Sequence, residues 1–250
     1  MNCYTEHFVI SSHDIDINGN VRPSIVCRLM QETANHHMRD RKPTYNELFE
    51  KGQSYIAIRM AIEQPAQLHM YEEVSVDTWT CSGKGATFLR CYRIRRGDEV
   101  VAKAYSEWAV VNLHTGKLCR KSEVDISNFE VDEPLEMHIP VRFHFPEDAA
   151  FEKVGEHHVT YSQVDRNLHM NNTYYQDMLW DYLPDMKEKK MTSFSLRFMA
   201  EAPLDGTVEI YRAPIETPFD DDCGAEESWY FKTIVNGRTN IEAIVGAARI

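Results

Sequence analysis

"DIDINGNVRPS" (residues 14–24) and "QVDRNLHMNNT" (residues 163–173) are one pattern written twice. Aligned without a gap, Asp16 falls on Asp165, Asn18 on Asn167, Asn20 opposite His169 and Val21 opposite Met170. A strand-like run precedes each, "EHFVIS" in the first copy and "EHHVTYS" in the second. Helical periodicity follows each. Val26, Leu29, Met30 and Thr33 stand at i, i+3, i+4, i+7, and so do Tyr175, Met178, Leu179 and Tyr182. That spacing puts each set on one face of a helix. Asn171 or Asn172 is the expected cap of the second helix.

Strand patterns come next in both halves. The first half has "SYIAIRMAIEQ", "EEVSVDTWTC", "ATFLRCYRIRR" and "EVVAKAYSEWAVVNL". The second has "MTSFSLRFMAE", "GTVEIYRAPIE", "SWYFKTIV" and "TNIEAIVGAARI". Turn signals at Gly97 and at Asn236 with Gly237 join the last two strands of each half. Each half therefore reads as strand, long helix, then four strands paired mainly antiparallel. One helix wrapped by a curved antiparallel sheet buries the apolar face of both. The expected fold class is α+β, a tandem hotdog. The first hotdog is expected over residues 1–121, a linker over 122–156, and the second hotdog over 157–250. The linker stretch is acidic, carries three prolines and lacks a long period.

Composition narrows the partners. Hydrophobic residues make up 43% and charged residues 26% of the chain, which suits a globular protein with a real core. The formal net charge of -12 argues against nucleic acid and against an anionic membrane surface. Basic clusters at Arg39, Arg41 and Lys42, at Arg90, Arg93, Arg95 and Arg96, and at Lys187, Lys189 and Lys190 are expected to be solvated faces. No signal peptide and no membrane span are read. Cys3, Cys27, Cys81, Cys91, Cys119 and Cys223 are scattered with no CxxC pair. That pattern predicts reduced thiols in a cytoplasmic protein. The histidine pairs His36–His37 and His157–His158 lack metal-ligand spacing, so no metal and no cofactor are expected. No GxSxG, P-loop or GxGxxG pattern is present, which leaves serine hydrolases and nucleotide enzymes unsupported.

With the duplication and the Asp-x-Asn-x-His-x-Asn-Asn run at 165–172 in place, the chain resembles the acyl-acyl-carrier-protein thioesterases. These are double-hotdog hydrolases that end fatty-acid elongation. "AYSEWAVVNLHTGKLCRKSEV" is similar to the family's Trp-containing strand, with Trp108, Asn112 and Thr115 in the matching places. The resemblance covers nearly the whole chain. It implies a substrate pocket largely in the first half and catalytic residues in the second. Met30, Met60 and Trp79 are candidate lining residues, with core packing as their competing role. The plant members carry a Glu-Cys pair where "RFMAEAPLDG" keeps Glu201 and has Ala202. That departure speaks against a cysteine nucleophile.

The catalytic set implied is Asp165, Asn167, His169 and Glu201. Thioester hydrolysis needs an activated water and a stabilised carbonyl oxygen. The thiolate leaves without much help. Glu201 is the candidate base, provided the fold moves its carboxylate away from bulk water. Asn167 and the first amides of the following helix are candidate donors to the oxyanion. His169 would polarise the thioester or orient water. Asp165 would orient Asn167 or His169, or simply form the turn, since Asp16 has the same place in the other copy. Glu63 lies near the position that would match Glu201 in the first half. The expected reaction is hydrolysis of fatty acyl-ACP. The expected partner is acyl carrier protein, with a homodimer possible. An acyl-CoA thioesterase of the same fold, or an acyl-binding protein without chemistry, are the alternatives.

Overall fold

The computed structural model describes residues 2–82, 86–219 and 223–250. The first half contains β1 (Tyr4–Val9), α1 (Pro23–Arg41), α2 (Tyr45–Glu50), β2 (Gln53–Glu63), β3 (Glu73–Cys81), β4 (Phe88–Arg96) and β5 (Glu99–Asn112). The second contains β6 (Glu152–His158), α3 (Tyr174–Trp180), β7 (Lys189–Phe198), β8 (Thr207–Ile215), β9 (Glu227–Val235) and β10 (Arg238–Arg249). All ten strands form one sheet in the order β1-β3-β4-β5-β2-β7-β10-β9-β8-β6. Read outward from the centre, each half repeats the same order. The halves meet where β2 and β7 pair antiparallel, from Arg59 opposite Arg197 to Glu63 opposite Ser193. This is the tandem hotdog expected from the duplicated pattern.

Local chemistry explains the elements. Asn236 and Gly237 both have positive φ, 50° and 73°, the geometry of a two-residue hairpin turn between β9 and β10. Pro23 opens α1 at a position where its missing N–H is no loss. The first turn of α1 contains no acid of its own. Asp177 of α3 supplies one, accepting from Ser24 N at 2.8 Å and from Ser24 Oγ at 2.5 Å. The two helices are thus tied end to flank across the halves.

The second helix is shorter than the periodicity predicted. α3 spans seven residues, against nineteen for α1. Leu183 precedes Pro184. A proline removes a backbone donor and disfavours helix at the residue before it, so the pattern through Tyr182 cannot be completed as helix. The cap also differs. Thr173 is the N-cap residue, and Asn171 acts two residues earlier, its Oδ1 accepting from Thr173 N at 3.0 Å.

Met30 and Met60 are fully buried between α1 and the concave sheet face. Trp79 is fully buried on the opposite face with Cys81 and Cys91. All three are core residues. The crossing segment covers that opposite face. Trp79 Nε1 donates to Glu133 O at 2.9 Å, Ser195 Oγ to Pro140 O at 2.6 Å, and Phe145 packs on Tyr230. β6 starts at Glu152, inside the stretch expected as linker, because it pairs with β8 from Glu152 opposite Arg212 onward.

Glu63 belongs to this strap. It is 1% exposed, and its Oε1 accepts from His138 N and from Ile139 N, the latter at 3.0 Å. Glu63→Ala would leave two amides without their acceptor. A loss of about 1–3 kcal/mol is expected, measured by urea unfolding, with catalysis near the wild-type rate in the folded protein.

Candidate active site

The repeated loops have the same internal wiring. In the second copy Asp165 Oδ1 accepts from Asn167 N at 2.8 Å, and Asp165 N donates to His169 O at 3.0 Å. In the first copy Asp16 Oδ1 accepts from Asn18 N at 2.8 Å, and Asp16 N donates to Asn20 O at 2.8 Å. Asp165 therefore forms the turn that presents Asn167 and His169. It orients Asn167 through the backbone rather than by holding a side chain. Leu168 has φ 66° where Gly19 has φ 78°. A leucine in this left-handed region is uncommon and strained, and this one is 68% exposed.

Backbone pairing fixes which residues are equivalent. Met170 N donates to Ala202 O, and Val21 N donates to Leu68 O, both at 2.8 Å. Ala202 thus matches Leu68, and Glu201 matches Gln67. Glu63 is not the counterpart, because it sits four residues earlier at the end of β2. In the second copy His169 Nε2 lies 2.9 Å from Glu201 Oε2. In the first copy Asn20 and Gln67 stand in their places. Gln67 is engaged structurally, donating to Met191 O at 2.7 Å and accepting from Gln64 at 3.2 Å.

The side chain of Glu201 is 67% exposed and that of His169 is 32% exposed. The expected removal of Glu201 from bulk water is therefore not provided by the protein fold itself. Two amides at the helix start are also committed elsewhere. Thr173 N is held by Asn171 Oδ1 and Tyr174 N by Asn171 O. Asn167 remains as the donor beside the pair. Its Oδ1 accepts from Ser54 Oγ at 3.3 Å and from Tyr45 OH at 3.4 Å, and its Nδ2 lies 3.3 Å from Tyr45 OH. An amide nitrogen has two hydrogens, so one is left for a ligand.

Tyr45 and Ser54 come from the first half and were not singled out by the sequence. Tyr45 opens α2, whose capping box pairs Thr44 with Glu47. That four-residue pattern, just after Pro43, was the available signal for the helix. Arg166 fastens α2 to the catalytic loop, its guanidinium 3.9 Å from the Phe49 ring centre and Nη1 2.7 Å from Asn46 Oδ1.

Asp165, Asn167, His169 and Glu201 all line one cavity of about 860 Å³. It runs from them into the first half, between α1 and the sheet. Ala34, Met38, Ile56, Phe88, Trp108 and Phe129 are among its apolar walls. Burial pushes the phenols of Tyr55 and Tyr175, also on the wall, up to about 12, so both are neutral. Asn112, by contrast, shapes a turn, its Oδ1 accepting from His114 N and Thr115 N at 3.0 Å. Among the described residues, no group of three or more His, Cys, Asp or Glu side chains could hold a metal ion. No helix among them is long and apolar enough to cross a membrane.

Comparison with known families matches the acyl-ACP thioesterase N-terminal domain to residues 1–127 and the acyl-ACP thioesterase C-terminal domain to residues 147–244. The chain belongs to the acyl-ACP thioesterase family. It is 25% identical over 220 residues to an oleoyl-acyl carrier protein thioesterase of Arabidopsis thaliana, covering 78% of this chain and 59% of the relative. The similar enzyme of Coriandrum sativum is 22% identical over 238 residues, covering 84% and 62%. The chain thus spans about three-fifths of the length of these chloroplastic relatives. In structure it is similar to an acyl-ACP thioesterase from Bacteroides thetaiotaomicron, with TM-score 0.83, 22% identity and 98% of each chain covered. It is also similar to the 12:0-ACP thioesterase from Umbellularia californica, with TM-score 0.77, 15% identity and coverage of 99% and 94%.

Within this thioesterase fold, Ala202 is fully buried and offers no nucleophile. Cys3, Cys27, Cys81, Cys91 and Cys119 are free thiols. Cys27, the one on α1, is pushed up to about 12 by burial, which leaves it unreactive as a thiol. Treatment with a thiol-alkylating reagent is expected to leave hydrolysis largely intact. An acyl group trapped on any cysteine, Cys223 included, would overturn this.

Proposed function

We propose that the protein hydrolyses fatty acyl-acyl carrier protein to a free fatty acid and the carrier thiol. The observation that carries this reading is the His169–Glu201 pair, 2.9 Å apart, at the edge of a long apolar cavity. The acyl chain lies in the first half, between α1 and the sheet. The thioester stops at the second half's loop, beside Asn167, Tyr45 and Ser54.

The steps balance without a cofactor. Glu201 accepts a proton from a water molecule as the water oxygen attacks the thioester carbon. The carbonyl oxygen gains charge and takes a hydrogen bond from the free N–H of Asn167, a contact type typically worth roughly 10²–10³ in rate. His169 donates to Glu201 from Nε2, which fixes the carboxylate for the water. The intermediate then expels the thiolate, and the proton held by Glu201 passes to that sulfur. Binding of the acyl chain and its carrier arm covers the exposed pair and supplies the water exclusion. Asp165 acts as a positioning residue by setting the turn.

The carrier is read as acyl carrier protein from family membership, with coenzyme A as the alternative. The same acyl chain presented on each carrier separates them. A kcat/KM at least ten-fold higher with the protein carrier supports the reading, and equal or reversed values favour coenzyme A. Binding without turnover would support the acyl-binding alternative. Reduced thiols are consistent with a cytoplasmic location. Both halves of the site come from one chain, so a homodimer, if formed, is not needed to complete it.

A further inference from the structure

Arg90 was grouped above with surface cations, yet it differs from them. Arg93 and Arg95 both bind Asp77, Arg96 binds Glu72 and Glu99, and Arg41 binds Glu130. Arg90 is 9% exposed, contacts no carboxylate directly and lines the acyl cavity. Its Nη1 donates to His37 Nδ1 at 2.9 Å and to Thr78 Oγ1 at 3.2 Å. His37 is fully buried and passes the contact on, Nε2 meeting Glu130 at 2.5 Å. Burial and the neighbouring Arg90 charge lower His37 to about 4, so the ring is neutral. It accepts from Arg90 and donates to Glu130. Glu130 is shared with Arg41, so the cluster of Arg90, Arg41 and Glu130 is left with one net positive charge.

Among the described residues no group accepts from Arg90 Nε or Nη2. Neither atom is among the sealed polar atoms that lack a partner. Both therefore keep exposed surface, and the cavity that Arg90 lines is the space beside them. A guanidinium cannot lose its charge, so these donors need an acceptor in the cavity itself.

The sheet shows how deep this point lies. Ser54, which touches Asn167, is opposite Val111, while Arg90 is opposite Ser106. Two strand spacings of about 4.8 Å and five residues of about 3.3 Å give a path of roughly 19 Å along the sheet. A fully extended chain gains about 1.2 Å per bond, so the path fits an acyl chain of order 12–16 carbons once curvature is allowed for.

Resting on the thioesterase reading, we infer that Arg90 makes the far end of the acyl cavity an acceptor site, so that the preferred chain carries an oxygen function there rather than a bare methyl. An alkyl chain reaching Arg90 strips water from a charged donor and gives nothing in return. A hydroxyl or keto oxygen at that depth takes the open N–H. Phe129 and Ile126 enclose the same end with apolar surface, which strengthens a hydrogen bond formed there.

The test uses the full chain and two series of acyl thioesters of rising length, one plain and one with a hydroxyl on the terminal carbon. With plain chains, kcat/KM is expected to rise by up to about four-fold per added methylene, then fall at least ten-fold at the length that meets Arg90. The hydroxylated chain of that length should recover ten-fold or more. Arg90→Met should reverse the order, and Arg90→Lys should keep it. Equal rates for the two series at every length in the wild-type protein would overturn the inference, with no variant needed. If no thioester is hydrolysed, the function above fails instead. Titration with plain and terminally hydroxylated free fatty acids then decides the Arg90 site separately, tighter binding of the hydroxylated acid supporting it and equal or weaker binding overturning it.

Discussion

Glu201→Gln is expected to lower hydrolysis by roughly 10²–10⁴-fold with little change in unfolding midpoint. The exchange keeps the shape and a hydrogen-bonding partner for His169 Nε2, now 2.9 Å from the carboxylate. It removes the only atoms of the pair proposed to take a proton from water. Because the side chain is two-thirds exposed, its loss removes no core packing, so the kinetic effect is read without a stability correction. Single-turnover measurement isolates the chemical step. Activity within a few-fold of wild type would remove Glu201 from the role of base.

The second large effect is an inequality. His169→Ala should cost on the order of 10²-fold or more in rate, and Asn20→Ala far less, although the two positions are equivalent in the duplicated fold. An amide does not exchange a proton near neutral pH as an imidazole does. The neighbour of Asn20 in the paired strand-end is Gln67, occupied by Met191 O, where His169 has Glu201. Asn20 is buried and its Nδ2 has no partner, so its replacement acts on packing. Rates for both variants, taken after circular dichroism confirms folding, decide the matter. Equal losses would mean that both copies take part in catalysis.

Much of this was legible because the chain repeats. The strand runs, the turns at Gly97 and Asn236, and the Asp-x-Asn pattern each occur twice, and their agreement fixed the architecture. What failed depended on pairing rather than pattern. Glu63 lay near the right place in sequence, but the true counterpart of Glu201 is Gln67, because β2 and β7 end at different distances from the shared backbone bond. The short α3 was visible in Pro184 and was outweighed by the apolar spacing through Tyr182. Tyr45 and Ser54 had no signal as site residues, because only the folded chain brings them 122 and 113 residues from Asn167 into hydrogen-bond reach. Arg90 sat among arginines that look alike until burial separates them.

The seam at the centre of the sheet also sets a timetable. β2 ends at Glu63 and its outer neighbour β7 begins at Lys189, 126 residues later by subtraction. The other strands of the first half are synthesised well before then. At about 5–20 residues per second, the stretch of β2 from Arg59 to Glu63 that pairs with β7 waits on the order of 10 s on a ribosome with its amides and carbonyls open. Such an edge is a template for any other unpaired strand. Arg59, at the seam, puts a charge on that edge, while Ala61 and Ile62 beside it do not. The nascent first half is therefore the stage at which this protein is most exposed to pairing with another copy of itself, and a chaperone that shields β2 would raise the yield of folded enzyme more than one that acts on the finished chain.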